Sequence, residues 1–343
     1  MKSQEFYLAA CANTPQGGIY RYVMDQGRPR QLGFNQLNSA NYLAYSPDRK
    51  FLYSTCAIGD NGGVAAFKIN DDNSLTFLNS MDAKGLSSCF LCTDPSGKFL
   101  FTANYRSGSV TEFALENGAI KALTQVIQHE GHGPNEKRQE GPHTHFTQMA
   151  PDGKYLCVVD LGIDAVKCYP VDPTRGIVAS GVKTFSDVPA GSGPRHLIFD
   201  RSGKIAYLAN ELGNTVVSMR YADGVFTAIQ LKPTLPATFT DATKVAAIRL
   251  SQDEKFLFVS NRGYDSIAVY ALDGQGGMTM TDLVLTGGSS PRDINFLPGW
   301  SKFAATNEFS DSIFFYDYDA KSGKLTPDGN VITTLPRPLC IHW

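Results

Sequence analysis

A pattern with a period of roughly 50 residues recurs along the chain and limits the folds open to it. In each copy an apolar segment leads into a turn rich in Pro, Asp, Ser and Gly, the turn carries a lysine, and a second apolar segment follows. The turn lysines are Lys50, Lys98, Lys154, Lys204, Lys255 and Lys302, with successive gaps of 48, 56, 50, 51 and 47 residues. Such a period predicts an array of similar units that bury a core between neighbours.

The apolar segments of each copy have the composition of β-strands. Segments such as KFLFVS and SIAVYAL are β-branched and aromatic, and turn residues separate them. No long segment shows a helical period. Three or four short strands in a unit of this length are typical of a β-propeller blade. The six copies are residues 44–56 with the strand that follows, 91–115, 148–171, 198–221, 249–272 and 295–318.

A seventh unit is divided between the two ends of the chain. Phe6–Ala12, a glycine-rich turn and Ile19–Val23 resemble the later strands of a unit, and the final TTLPRPLCIHW resembles the first strand. In this alignment Arg337 takes the place of Arg292. Phe6–Ala12 is therefore expected to be a strand rather than part of a secretory signal. The sequence predicts an all-β fold: one domain over residues 1–343, a seven-bladed β-propeller of four-stranded antiparallel blades, with the N- and C-terminal strands sharing one blade.

Composition and charge exclude several classes of partner. The net charge is −2, from 31 basic and 33 acidic residues, which gives no support to nucleic-acid or anionic-membrane binding. No apolar run approaches the roughly 18 residues that cross a bilayer.

The seven cysteines lie mostly in apolar segments, and Cys89 and Cys92 of the CxxC point to opposite faces of a strand. We expect buried reduced thiols, a cytoplasmic location and a monomer or homodimer.

Polar residues concentrate where the first strand of a blade begins and where the second strand ends. The candidates are His143 and His145 in GPHTHF, Arg195 and His196 in GSGPRH, Arg249, Arg292, Glu211 and Arg262. Guanidinium groups can hold a carboxylate or phosphate through forked donors, and a histidine or glutamate can move a proton near neutral pH. This set suits hydrolysis or formation of an ester-like ring in an anionic substrate. A GxSxG motif for a serine nucleophile is missing.

Structural roles for the same residues remain open. The HxH pair resembles half a metal site, but the sequence offers no HExxH motif and no third ligand, so neither a metal nor a cofactor is expected. His143 could orient a loop, Glu211 could be a salt-bridge partner, and Arg292 and Arg337 could form ion pairs between blades. The polar segment 129–141 is expected to be a surface loop beside the His143 strand, or a lid.

Two long runs are similar to a known family. GPNEKRQEGPHTH with APDGKYLCVVDLGIDAVKCY, and GSGPRHLIFDRSGKIAYLANELGNTV, resemble the lactonase family of seven-bladed β-propellers. That family includes bacterial propeller-type 6-phosphogluconolactonases and fungal 3-carboxy-cis,cis-muconate lactonizing enzymes. The resemblance covers essentially the whole chain, and GxGPRHxxF followed by NEL is its most specific motif.

The resemblance implies site residues and an activity. It implies His145, Arg195 and Glu211 as catalytic residues and Arg262 as a further site residue, while Arg249 stands where bacterial relatives often have histidine. Arg249, His143, His196 and Arg292 complete the predicted substrate-binding set. The implied function is a metal-independent lactonase of carbohydrate metabolism, acting in the pentose phosphate pathway on 6-phosphogluconolactone or a related sugar lactone. Two alternatives stay open: a muconate-type lactonizing cycloisomerase and a non-catalytic propeller that binds a ligand or protein.

Overall fold

The structure is a computed structural model and describes residues 5–343. Within that range every regular element is a β-strand, and no helix is present that is long and apolar enough to cross a bilayer. The strands form seven separate sheets, each of which is one predicted blade. Blades one to six follow the chain from Leu43, and blade seven contains both chain ends.

The strands are numbered in chain order. Those up to the second blade are β1 (Glu5–Ala10), β2 (Gly18–Asp25), β3 (Arg28–Gln36), β4 (Leu43–Tyr45), β5 (Phe51–Ile58), β6 (Asn61–Ile69), β7 (Leu75–Asp82), β8 (Ser88–Thr93), β9 (Phe99–Asn104), β10 (Ser109–Glu116) and β11 (Ala119–Gln128). Blades three and four contain β12 (Thr144–Met149), β13 (Tyr155–Asp160), β14 (Ala165–Asp172), β15 (Gly176–Ile177), β16 (Lys183–Phe185), β17 (Pro194–Phe199), β18 (Ile205–Asn210), β19 (Thr215–Ala222) and β20 (Val225–Pro233). The remaining strands are β21 (Lys244–Leu250), β22 (Phe256–Arg262), β23 (Ser266–Leu272), β24 (Met278–Leu285), β25 (Pro291–Phe296), β26 (Lys302–Asn307), β27 (Ser312–Tyr318), β28 (Leu325–Ile332) and β29 (Pro338–His342).

The lysine-bearing turns connect the first and second strands of six blades, as the repeat predicts. Each turn lysine stands directly before the second strand or begins it. An aspartate fixes the turn in several copies: Asp94 Oδ1 accepts the backbone N–H groups of Lys98 and Phe99 at 2.8 and 2.7 Å. An aspartate side chain that binds nearby backbone in this way favours a tight turn over a continued strand.

Blade seven joins the two ends of the chain, with the strand order β29-β1-β2-β3. Ala9 pairs with Cys340 and Leu8 with Ile341, so β29 covers the edge of β1. The predicted alignment of Arg337 with Arg292 is wrong. Cys11 N donates to the carbonyl of Arg337 as Glu308 N donates to that of Ser290, so Arg337 corresponds to the residue that precedes a first strand. Arg292 instead lies inside β25.

One blade departs from the four-strand pattern. In blade three the outermost position is divided between β15 and β16, which are two and three residues long, and both pair with β14. The other six blades have four strands, and neighbouring strands within a blade run antiparallel, as in β1–β2 and β22–β23. The predicted blade architecture is confirmed, with this local variation.

The chain divides into two compact units. The first unit contains residues 5–40, 207–218 and 229–343, and the second contains residues 41–206 and 219–228. In the first, Phe258, Phe296 and Phe303 pack between blades five and six. In the second, Phe101 and Tyr169 belong to a cluster between blades two and three. Burial between sheets thus supplies the core in both units, and the single-domain prediction stays a prediction.

Candidate active site

A buried ion pair in the first unit joins Glu211, just after β18, to Arg262, the last residue of β22. Glu211 Oε2 lies 2.7 Å from Arg262 Nη2, which also donates to the carbonyl of Val245 at 3.0 Å. In the part of the chain that the structure describes, the buried Nε of Arg262 has no hydrogen-bond partner. Burial lowers the pKa of Arg262, Glu211 opposes this effect, and Arg292 adds to it. The result is a guanidinium fixed by Glu211 and the carbonyl of Val245.

A second carboxylate in the same unit, Glu308, holds two arginines. Its Oε1 is 2.6 Å from Nη2 of Arg337, and its Oε2 is 3.5 Å from Nη1 of Arg292. Burial raises the pKa of Glu308, but Arg292, Arg337 and Arg262 outweigh burial and leave that pKa lowered. Sequence reasoning missed Glu308, although Asn307-Glu308 repeats the Asn210-Glu211 pattern one residue after a second strand.

Arg249 lies at the other end of its blade from Arg262. The prediction placed it early in the first strand, but it is the sixth of seven residues in Lys244–Leu250, so its position there is corrected. Lys244, the first residue, is the partner of Arg262, and five residues of strand span about 17 Å. Arg249 Nη2 binds Asp293 Oδ1 at 2.7 Å, and Asp293 Oδ2 accepts the backbone N–H of Ile341 at 3.0 Å. These contacts tie blades five, six and seven together.

His145 and Arg195 occupy the second position of β12 and β17 in the second unit. Both are buried, with 4% and 2% of their surfaces exposed. Arg195 Nη1 lies 3.0 Å from Nε2 of His196, and the rings of His145 and His196 have centroids 5.4 Å apart. The thiol of Cys89 donates to the carbonyl of His145 at 3.4 Å. The structure therefore brings three of the predicted site residues together in this unit.

Aromatic rings pack around His196, which follows Arg195 in β17. Phe146 and Phe90 have ring centroids 4.1 Å apart, and Phe90 and Tyr42 3.9 Å. The His196 ring lies 5.2 Å from both Phe90 and Phe146. This packing restricts the His196 ring, which in turn contacts the Arg195 guanidinium.

His143 connects the loop of residues 129–141 to the first strand of blade three. Its Nδ1 lies 2.9 Å from the carbonyl oxygen of Tyr105, and its Nε2 lies 3.1 Å from Glu140 Oε1. The Tyr105 ring stacks on the imidazole with centroids 4.6 Å apart. Since both ring nitrogens contact protein acceptors, the loop-orienting interpretation explains the structure. The loop contains turns and no helix or strand, as expected from its composition.

Two aspartates position the segments that carry His145 and Arg195. Asp160 Oδ1 accepts the backbone N–H of His143 at 2.7 Å, and its Oδ2 binds His129 Nδ1 at 2.7 Å. Asp164 accepts the N–H groups of Gly191 and Gly193, both at 2.7 Å. Both aspartates lie in the run that resembles the lactonase family, but sequence reasoning did not single them out, because their partners lie 17 to 31 residues away in the chain.

The sequence predicts no metal site, and it predicts buried, reduced thiols. Across residues 5–343, no group of three or more His, Cys, Asp or Glu side chains is placed to hold a metal ion. The seven cysteines, all inside that range, are thiols without a disulfide. Burial raises the pKa of Cys92 to about 12, so this CxxC thiol stays protonated at neutral pH. Metal independence remains a prediction for the reaction itself.

Comparison with known proteins identifies the family. The model described as "Lactonase, 7-bladed beta-propeller" matches residues 5–343. The chain belongs to this lactonase family. It is 35% identical to the 6-phosphogluconolactonase of Bacillus subtilis (strain 168), over 98% of this chain and 97% of that protein. Among solved structures, a Lactobacillus plantarum protein has a TM-score of 0.91 at 33% identity, covering 99% of both chains. The periplasmic gluconolactonase of Pseudomonas aeruginosa has a TM-score of 0.90 at 25% identity, covering 98% of both.

Membership of the lactonase family confirms three predictions. The fold is a seven-bladed β-propeller, the protein is an enzyme, and its activity is hydrolysis of a lactone ester. The alternative of a non-catalytic binding scaffold is thereby set aside. The roles of individual side chains stay predictions.

Proposed function

We propose that this lactonase hydrolyses 6-phosphogluconolactone or a closely related sugar lactone to the open-chain acid. The names of the Bacillus subtilis and Pseudomonas aeruginosa relatives support a gluconolactone as the substrate class. The observation that carries the proposal is the buried group of the second unit, in which Arg195 Nη1 lies 3.0 Å from Nε2 of His196 and the rings of His145 and His196 have centroids 5.4 Å apart. A cation beside an imidazole that can move a proton suits hydrolysis of an anionic lactone.

The reaction requires a base, a proton donor and stabilisation of negative charge. Water adds to the lactone carbonyl carbon, and the bond between this carbon and the ring oxygen breaks. We assign His145 as the base that takes the proton from water and returns it to the departing ring oxygen, which becomes a hydroxyl, because imidazole exchanges protons near neutral pH. Arg195, which lies in the same unit as His145, is assigned to stabilise the developing charge on the carbonyl oxygen. Arg262 keeps its predicted role as a substrate-binding residue. Glu211 is assigned to hold Arg262, since its carboxylate is already bound to that guanidinium.

The remaining predicted substrate-binding residues have contacts that support positioning roles. His196 contacts Arg195, His143 holds Glu140, and Arg249 holds Asp293. Direct substrate binding by these residues stays a prediction.

We also propose a cytoplasmic enzyme, monomeric or homodimeric, with a small anionic lactone as its partner and no membrane or nucleic-acid partner. The seven thiols support a reducing compartment. The Pseudomonas aeruginosa relative is periplasmic, so the fold itself is compatible with either side of a membrane.

The test is lactone hydrolysis by the purified wild-type protein, measured with phosphorylated and unphosphorylated gluconolactone, with and without a chelator. Acid release is corrected for spontaneous ring opening. We expect turnover of at least one lactone that survives the chelator. A rate equal to spontaneous opening for both lactones would contradict the proposal, and loss of rate on chelation would contradict metal independence.

A further inference from the structure

The cluster of Glu308, Arg292 and Arg337 in the first unit has more positive than negative charge. Glu308 is the buried member, with 6% of its side chain exposed, whereas Arg292 and Arg337 are 20% and 53% exposed. Glu308 raises the pKa of Arg337, and the exposed carboxylate of Asp311 adds a smaller effect in the same direction while its Oδ1 accepts the backbone N–H of Arg337. Both arginine side chains are more exposed than the carboxylate that they share.

The backbone position of Arg337 is occupied by smaller residues in other blades. Its φ is +44°, in the left-handed region. Ser87 and Ser290 occupy the corresponding position in blades two and six, with φ of +58° and +64° respectively. A small residue satisfies this position elsewhere in the chain, so the arginine is not needed for the turn itself.

The cluster lies close to the pair that the proposed function uses. Arg292 lowers the pKa of Arg262, and Glu308 raises it, after the larger effect of burial. Arg262 in turn helps to lower the pKa of Glu308. These effects place Arg262 within electrostatic reach of Arg292 and Glu308.

We propose that Arg292 and Arg337 bind the phosphate group of the lactone substrate, and that Glu308 positions the two guanidinium groups. This rests on the proposed function and specifies which side chains distinguish a phosphorylated from an unphosphorylated lactone. A phosphate carries close to two negative charges and three acceptor oxygens, which match two partly exposed forked donors. No bond is made or broken in this subsite, so its effect is on substrate binding.

The experiment compares kcat/KM for phosphorylated and unphosphorylated gluconolactone in the wild type, Arg337→Ala and Arg337→Lys. Arg30→Ala is the matched control, because Arg30 is an exposed arginine of the same unit that pairs with Asp25 at 2.9 Å. We expect Arg337→Ala to lower the ratio of the two kcat/KM values, phosphorylated over unphosphorylated, by about 10- to 100-fold through KM. Arg337→Lys should restore part of that ratio, and Arg30→Ala should leave it at the wild-type value.

Calorimetric titration with inorganic phosphate tests the subsite without turnover. We expect binding by the wild type that is about tenfold or more weaker in Arg337→Ala and unchanged in Arg30→Ala. A ratio that does not change in folded Arg337→Ala, or phosphate binding equal in wild type and Arg337→Ala, overturns the subsite. If the wild type hydrolyses neither lactone, the proposed function fails, and the phosphate titration still decides whether Arg337 binds the anion.

Discussion

Two buried glutamates show how neighbouring groups set the charge of a single side chain. Glu308 lies among three arginines, and its pKa is lowered despite burial. Glu112 in β10 is 1% exposed, and its carboxylate accepts the N–H of Ile177 at 2.5 Å and the hydroxyl of Thr124 at 2.7 Å. Burial raises its pKa, and these hydrogen bonds reverse only part of that effect. The pKa values of the two glutamates shift in opposite directions because arginines surround Glu308, and not because one carboxylate is more deeply buried than the other.

Glu112 should make the protein less stable as the pH rises from acid to neutral. Between about 4.3, where an unfolded glutamate titrates, and its raised pKa, the folded chain keeps a proton that the unfolded chain has lost. The stability contributed by that proton is present at low pH and is lost as the pH rises through this window. The glutamine of Glu112→Gln exchanges no proton in this pH window. The free energy of unfolding of the variant should therefore increase relative to that of the wild type between about pH 4 and pH 8. Urea unfolding at both pH values checks this, and a constant difference would contradict it.

At the scale of elements, a buried network connects the 129–141 loop to blade three. His129 Nδ1 binds Asp160 Oδ2 at 2.7 Å, and the hydroxyl of Tyr169 binds His129 Nε2 at 3.0 Å. Burial raises the pKa of Tyr169 to about 12, so its hydroxyl keeps its proton at neutral pH. The other oxygen of Asp160 accepts the N–H groups of His143 and Gly162. The network thus fixes the start of the strand that carries His145.

Removing His129 should cost more stability than removing the tyrosine hydroxyl. In His129→Phe the buried carboxylate of Asp160 loses a hydrogen-bond partner, at a typical cost of about 2–3 kcal/mol. The matched variant Tyr169→Phe removes one neutral hydrogen bond, at a cost of about 1 kcal/mol. Denaturant unfolding of both variants measures the difference. Equal losses would show that Asp160 does not depend on His129.

At the scale of the whole molecule, the pairing of β1 with β29 is the feature that unites the two chain ends. Ala9 and Cys340 are directly opposed and both are fully buried. Opposed residues of antiparallel strands have Cα atoms about 4.5–5.5 Å apart, which lies within the range for a disulfide. The ends of the chain can therefore be cross-linked through this pair.

Ala9→Cys should form a disulfide with Cys340 under oxidising conditions. Because the link closes nearly the entire chain, the oxidised variant should be more stable than its own reduced form by about 5 kcal/mol. Ala10→Cys is the control, since Ala10 pairs with Pro338 and points to the other face of the strand. Thiol titration and denaturant unfolding measure both effects. Failure of Ala9→Cys to cross-link, or equal cross-linking of Ala10→Cys, would contradict the register.

The sequence predicted the blades well because their determinants are local. Lys98 and Lys204 mark turns whose aspartates lie four residues earlier, and the strand composition is read directly from each copy. The predicted register of Arg337 and the predicted position of Arg249 within its strand were wrong, because register depends on pairing across the sheet. Glu308 and Asp164 were missed because the residues that they bind are distant in the chain.

We propose that His145 and Arg195 carry the hydrolysis, and the rates of His145→Ala and Arg195→Ala test this assignment. The measurement is lactone turnover above spontaneous opening, with circular dichroism as the check on folding. His132→Ala and Arg175→Ala are matched controls, because both residues are exposed and belong to the same unit. We expect a loss of about 100-fold or more in each site variant and wild-type rates in the controls. Wild-type turnover by folded His145→Ala and Arg195→Ala would contradict it.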